Sequence, residues 1–356
     1  MIDIRSELTP QLIDYDNIGL KWHPNIMFFQ RENYRSKSVN TDKYGFRMTC
    51  YEQARFSPES YFESINKEEI SLIVGGSTAF GVGATSDKYN LASLLSNNSG
   101  KMFLNFGGRA FNSDQELSLF KNFLEKLPKL KEVIIVSGVN ELYLTSIKNK
   151  SFMPNFFYGN IYSNALDLYT LNYQRKILKI ILGSFGIGEE IWKYKSLKQI
   201  FLHVIKNLYS FNKIKNSFEI KNTDLISFAK SLNRIKSSLT FWSCLSKILK
   251  FKVTFALQPI PSWSKKRLTI EEEKIFSFND YKNPHLSNIF RLMDNQDKYL
   301  NYSKNLEDIC NSLSVKYLDC NNFFRNSESR KDWLFVDRIH LNDKGYKELA
   351  KFLINE

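Results

Sequence analysis

The rhythm of hydrophobic and polar positions changes near Glu68. Residues 1–66 are polar and irregular with scattered aromatics, which predicts an extended lead-in laid onto a core. From Glu68 onward, short apolar runs alternate with stretches of helical spacing. Ile70–Val74 (ISLIV) predicts a buried strand that ends in Gly75-Gly76-Ser77. A helix is expected around Asn90–Leu95, a strand at Met102–Phe106, a helix at Ser113–Leu127, and a strand at Val133–Val136 that ends in Ser137-Gly138. Strands that read as near-continuous apolar runs and alternate with helices predict a parallel sheet covered on both faces.

The alternation stops between about 146 and 249. That stretch is rich in Lys, Leu, Phe, Tyr and Asn and holds helix-length segments at Leu197–Tyr209 and Leu225–Leu249, so a mainly helical insertion is expected there. The sheet resumes at Lys252–Leu257, closed by Gln258-Pro259. A helix around Asp294–Leu313, a strand at Val315–Leu318 and a last helix at Lys344–Leu353, capped by Asn342, complete the pattern. The predicted architecture is a three-layer α/β/α domain with a mostly parallel sheet. Its core comprises 67–145 and 250–356, with the 1–66 lead-in packed on it and the 146–249 insertion available as a lid or an interface.

With 356 residues and 43% hydrophobic content, the chain can bury one sizeable core, alone or with an inserted subdomain. The formal net charge of +13 fits either a surface that attracts an anionic partner or a Lys/Asn/Ile/Phe-rich composition with no such role. The basic residues are spread out and form no nucleic-acid-binding module, so no nucleic-acid partner is expected. Cys50, Cys244, Cys310 and Cys320 contain no CxxC, and neither disulfides nor a metal site is expected. The first residues lack the apolar stretch of a signal peptide, and the longest apolar run, near Ile177–Ile187, is too short to span a bilayer. A cytoplasmic location follows as an expectation, with peripheral membrane contact left open.

Ligands of open parallel sheets bind beyond the carboxyl ends of the strands, so candidate chemistry is sought in those loops. Gly75-Gly76-Ser77-Thr78-Ala79-Phe80-Gly81 places a serine on a tight turn, as a nucleophile or as a simple N-cap; no Gly-Lys-Ser/Thr follows, which argues against a P-loop. Asn105 through Ala110 (NFGGRA) offers small residues whose backbone N–H groups suit an oxyanion hole, or a plain turn. Gly138-Val139-Asn140-Glu141 offers a carboxamide donor, or a buried loop asparagine. Asp337 and His340 stand three apart in a turn before the last helix. Of the four histidines (His23, His203, His285 and His340), only His340 has an Asp at the third position before it. An Asp so placed can orient an imidazole toward a serine.

Taken in this order, Gly75-Gly76-Ser77, Gly138-x-Asn140 and Asp337-x-x-His340 resemble blocks I, III and V of the SGNH (GDSL-like) hydrolases. Asn105-Phe106-Gly107 with Phe111-Asn112-Ser113-x-Gln115-Glu116 resembles the neighbourhood of block II. The likeness covers residues 67–145 and 250–356, about half the chain. Val39-Asn40-Thr41-Asp42 through Tyr44-Gly45-Phe46-Arg47 also resembles a lead-in found before block I in members linked to bacterial surface polysaccharides. The resemblance implies a flavodoxin-like fold and ester hydrolysis without metal or other cofactor. Ser77 would be the nucleophile, His340 the general base, and Asp337 its orienting carboxylate. Ser77 N–H and the Asn140 side chain would donate to the oxyanion, joined by a block II N–H from Ala110 or, in a competing alignment, Gly108. One departure is that Gly76 stands where the family usually has Asp. The implied activity is removal of O-acyl groups, O-acetyl above all, from a carbohydrate. The alternatives are acyl transfer to a sugar hydroxyl by the same triad, and a non-catalytic glycan-binding scaffold. The aromatics Trp192, Phe201, Tyr209, Phe211 and Trp242 could stack on sugars or form the insertion's own core.

Overall fold

The computed structural model describes residues 4–65, 67–146, 227–264 and 267–356. The lead-in is more regular than its polar sequence predicts. It holds α1 (Ile4–Leu8), α2 (Leu12–Asn17), a hairpin of β1 (Leu20–His23) with β2 (Met27–Gln30), a second hairpin of β3 (Thr49–Tyr51) with β4 (Ala54–Phe56), and α3 (Pro58–Glu63). Its apolar side chains are few but placed inward. Leu12, Tyr15, Ile18 and Val39 cluster with Phe80, Val82 and Val336 of the later chain. Phe29 and Phe46 pack ring to ring at 5.1 Å, and Phe46 continues onto Phe106 at 4.6 Å.

The core then runs β5 (Ile70–Gly75), α4 (Ser77–Phe80), α5 (Leu91–Ser99), β6 (Met102–Gly107), α6 (Ser113–Phe123), β7 (Leu130–Ser137) and α7 (Val139–Thr145). From residue 227 come α8 (Phe228–Leu249), β8 (Lys252–Leu257), α9 (Ile270–Lys282), α10 (Pro284–Met293), α11 (Gln296–Ser312), β9 (Lys316–Asp319), α12 (Cys320–Asn326) and α13 (Asp343–Asn355). Five strands form one sheet in the order β6-β5-β7-β8-β9, and every neighbouring pair is parallel. All six residues of β5 are buried, as continuous apolar patterning requires of a strand with both faces covered. On one face α5 and α13 pack together, with Leu91 and Leu95 in the same cluster as Tyr346, Leu349 and Leu353. On the other face Trp242 of α8 meets Phe120 of α6 at 4.5 Å.

The order of these strands is that of a flavodoxin-like doubly wound sheet. The chain reverses direction of winding between β5 and β7, and that switch point opens a crevice at the strands' carboxyl ends. Ser77 follows β5 directly, and Asn140 follows β7. The fold thus puts two of the sequence-predicted site residues at the crevice where an open α/β sheet binds its ligands.

The structure differs from the sequence reading in three places. The helix expected to reach Leu127 ends at Phe123 and closes with a 3-10 turn at Leu124–Lys126, because Leu127 precedes Pro128 and is disfavoured in helical conformation. Helix α8, grouped by sequence with the insertion, belongs to the same compact unit as the sheet, and Trp242 is buried there, 1% exposed. Trp242 is therefore a core side chain. Helices α7, α9, α10 and α12 were not expected. The rest of the insertion, with Leu197–Tyr209, Trp192, Phe201, Tyr209 and Phe211, lies outside the described residues.

Candidate active site

At the end of β5 the chain must turn within a residue to start α4. Gly75 has φ 147°, and a Cβ there would lie 2.2 Å from Val136 O, so only glycine lets β5 lie this close to β7. Gly76 is required by a side chain instead. A Cβ at that position would stand 2.7 Å from Asn140 Nδ2. The aspartate that the resemblance leads one to expect at 76 would therefore have to displace the Asn140 carboxamide. Ser77 follows as the first residue of α4, partly exposed, and no partner holds its N–H among the described residues.

The histidine arrives from 263 residues away. His340 Nε2 lies 2.7 Å from Ser77 Oγ, and His340 Nδ1 lies 2.7 Å from Asp337 Oδ2. The carboxylate acceptor puts the ring proton on Nδ1 and leaves the Nε2 lone pair facing the serine hydroxyl. The other oxygen, Asp337 Oδ1, accepts from Ile339 N at 2.8 Å and His340 N at 2.7 Å, so the carboxylate fixes its own turn as well as the imidazole. Burial would raise the Asp337 carboxyl. The charge and hydrogen bond of His340, with those two backbone N–H groups, outweigh that effect and hold it below the usual carboxylate range.

The turn that carries this pair is clamped. Val336 N donates to His340 O at 2.9 Å, and Phe335 and Leu341 form an isolated antiparallel bridge. Glu272, fully buried on α9, accepts at Oε1 from both Leu334 N and Phe335 N at 3.0 Å. Its Oε2 accepts from Thr269 N at 3.0 Å and closes the capping box that starts α9. Arg338 forks onto Asp280 of the same helix at 2.6 and 2.9 Å. Sequence reasoning missed Glu272, Asp280 and Arg338. The Thr269-x-x-Glu272 spacing would have predicted a helix start, though not the second task of that carboxylate.

The candidate oxyanion donors divide. Gly108 N–H is committed to Gly75 O at 2.9 Å, a bond that ties the end of β6 to the end of β5. Ala110 N–H has no partner among the described residues, and Ala110 is held at φ 59°. Asn140 Nδ2 gives one hydrogen to Phe111 O at 2.6 Å and keeps a second, beside Gly76. Two fully buried carboxyls lie next to this loop. Glu116 accepts from Ser137 Oγ at 2.8 Å, and Glu141 accepts from Ser113 N. Burial raises both above the ordinary glutamate range, and the charge of Glu141 adds to the rise at Glu116.

No protein-family model matches this chain, and no curated protein matches it. Among solved structures, it is similar to an acetyl xylan esterase, AlAXEase, at 11% identity and a TM-score of 0.39, covering 80% of this chain and 98% of that one. A lipase/acylhydrolase from Enterococcus faecalis is 12% identical with a TM-score of 0.41, covering 81% and 94%. A member of the lipolytic G-D-S-L family from Veillonella parvula DSM 2008 is 10% identical with a TM-score of 0.39, covering 81% and 97%. Likeness at this level identifies neither a reaction nor a substrate.

Among the described residues, no group of three or more His, Cys, Asp or Glu side chains is placed to hold a metal, and no helix is long and apolar enough to cross a membrane. An open groove of about 810 Å³ lined by Tyr299, Tyr317 and Phe352 follows edge strand β9 and includes none of the residues above.

Proposed function

We propose that the chain is a serine hydrolase of the SGNH type that cleaves esters through an acyl-enzyme. The observation that carries the reading is the single imidazole of His340 bridging Ser77 and Asp337 at 2.7 Å on either side. A serine hydroxyl is a weak nucleophile at neutral pH and needs a base within hydrogen-bond reach, itself oriented by a third group.

In the proposed reaction His340 Nε2 takes the Ser77 proton as Oγ adds to the ester carbonyl. Asp337 stabilises the imidazolium through Nδ1–H and stays ionised. The oxygen of the tetrahedral intermediate receives hydrogen bonds from Ser77 N–H, the second Asn140 Nδ2 hydrogen and Ala110 N–H; each such donor typically contributes a factor of roughly 10²–10³ in rate. His340 then gives its proton to the leaving alcohol. Water, deprotonated by the same nitrogen, releases the acid and restores Ser77.

For the substrate we infer an O-acylated carbohydrate, with acetyl the expected acyl group. The support is the resemblance of residues 39–47 to the lead-in of polysaccharide-linked hydrolases. Ser77→Ala is expected to lower kcat for a short aryl acetate by at least about 10⁴-fold while leaving the circular dichroism spectrum unchanged. A fluorophosphonate should label wild type at Ser77 alone. Wild-type turnover in the alanine variant would remove the nucleophile assignment.

A further inference from the structure

The carbonyls of the segment that follows the serine are held by side chains. Arg47 Nη1 lies 3.0 Å from Phe80 O and 2.7 Å from Gly81 O. Tyr15 OH lies 2.9 Å from Gly81 O and 2.7 Å from Ala84 O. Tyr346 OH donates to Val82 O at 2.8 Å, and Gln11 Nε2 to Gly83 O at 3.0 Å. Every carbonyl from Phe80 to Ala84 therefore has a side-chain donor.

Arg47 is the centre of this grip. It is 0% exposed, and all five of its N–H donors have acceptors: the two carbonyls above, Ser38 O at 2.7 Å, Ser86 O at 3.3 Å, and Asp87 Oδ1 at 3.1 Å from Nε. Asp87 is in turn held by Asn40, through its N–H at 3.2 Å and its Nδ2 at 2.7 Å. The guanidinium also lies over the rings of Tyr15 and Phe80, at 5.4 and 5.5 Å. A planar five-donor fork can meet acceptors in several directions at once, which an ammonium cannot. A buried ion pair is a poor way to gain stability alone, because desolvation opposes the attraction.

The gripped segment touches both halves of the candidate site. Gly81 N and Val82 N donate to Ser77 O at 2.9 and 3.0 Å, so the serine backbone is tied to the residues that Arg47 holds. Gly83 approaches the Asp-His turn so closely that a Cβ would lie 2.3 Å from Leu341 O. We propose that Arg47, with Tyr15 beside it, is a positioning residue that sets Ser77 against His340 through the carbonyls of residues 80–84. This rests on the hydrolase reading and gives the residue 39–47 stretch a task within it.

The test compares wild type, Arg47→Ala and Arg47→Lys with an aryl acetate. Rates are taken per site titrated by fluorophosphonate, with and without added guanidinium. A displacement of the nucleophile by about 1 Å is worth up to roughly 10²-fold, so kcat should fall by about 10- to 100-fold with KM changed less than about threefold. Guanidinium should restore Arg47→Ala and leave Arg47→Lys unchanged. Amide exchange at Gly81 and Val82 should quicken in the alanine variant and slow again on rescue. Should Arg47→Ala fail to fold, Tyr15→Phe decides: slower labelling of Ser77 supports the proposal and a wild-type labelling rate overturns it. Folded Arg47 variants with wild-type kcat per site overturn the positioning role alone. A wild type that neither turns over the ester nor takes the label overturns the hydrolase reading, and the positioning role falls with it.

Discussion

Asp337 shows how much one carboxylate is asked to do. One oxygen holds the imidazole and the other holds two backbone N–H groups of its own turn. An asparagine there could keep the turn, but its NH2 would face Nδ1 and drive the ring proton to Nε2, the wrong nitrogen for a base. Asp337→Asn should therefore cut kcat for an aryl ester by about 10³–10⁴-fold. It should also change acid stability. The folded carboxyl lies below its unfolded value of about 3.9. Its stabilising contribution is thus complete above that pH and is lost as pH falls through the folded value. The acid limb of a Tm-versus-pH curve should be shallower in the variant, and superimposable limbs would count against the depressed carboxyl. Ser77, Asp337, His340 and Asn140 were legible in the sequence because each follows an apolar run or precedes a capped helix. Arg47 stood inside a noticed stretch but without a role. Its acceptors are mostly backbone carbonyls, which carry no signature that spacing can show.

Among the elements, strands were easier to read than helices. A strand covered on both faces carries a near-continuous apolar run instead of alternating, and β5, β7 and β8 hold such runs. Helix α9 begins Ile270-Glu271-Glu272-Glu273 and buries only Glu272, Ile275 and Phe276, so no apolar stripe announced it. Helix α7 has seven residues, too few for a period to establish itself. Helix α8 was found, but its allegiance was not, since a sequence gives no sign of which neighbour a helix packs on. That allegiance rests on Trp242 against Phe120. Trp242→Ala should lower the unfolding free energy in urea by about 3–5 kcal/mol. A loss under about 1 kcal/mol would mean that α8 is not docked on the sheet.

For the molecule as a whole, apolar patterning alone does not order the strands; the flavodoxin-like order came with the resemblance of blocks I, III and V, and that order is what creates the crevice between β5 and β7. Flanking that crevice, the structure tolerates two buried carboxyls whose proton affinities are raised. Such groups bind protons more tightly folded than unfolded, where a glutamate titrates near about 4.3. Stability from this source is full below that pH and declines as pH rises through the folded values. Glu116→Gln retains an oxygen to accept from Ser137 Oγ and removes the titration. The decline in Tm as pH rises above about 4.3 should therefore be shallower in the variant than in wild type, and parallel curves would contradict the raised carboxyls.

The 263-residue gap between hydroxyl and imidazole has a bearing on synthesis. A ribosome adding roughly 5–20 residues per second needs about 13–50 seconds to travel from one to the other. Throughout that interval the emerging polypeptide holds its serine with no base to activate it. Under the proposed chemistry it becomes reactive only once His340 has been added and folded against it, so prematurely terminated products that stop short of His340 are inert toward esters.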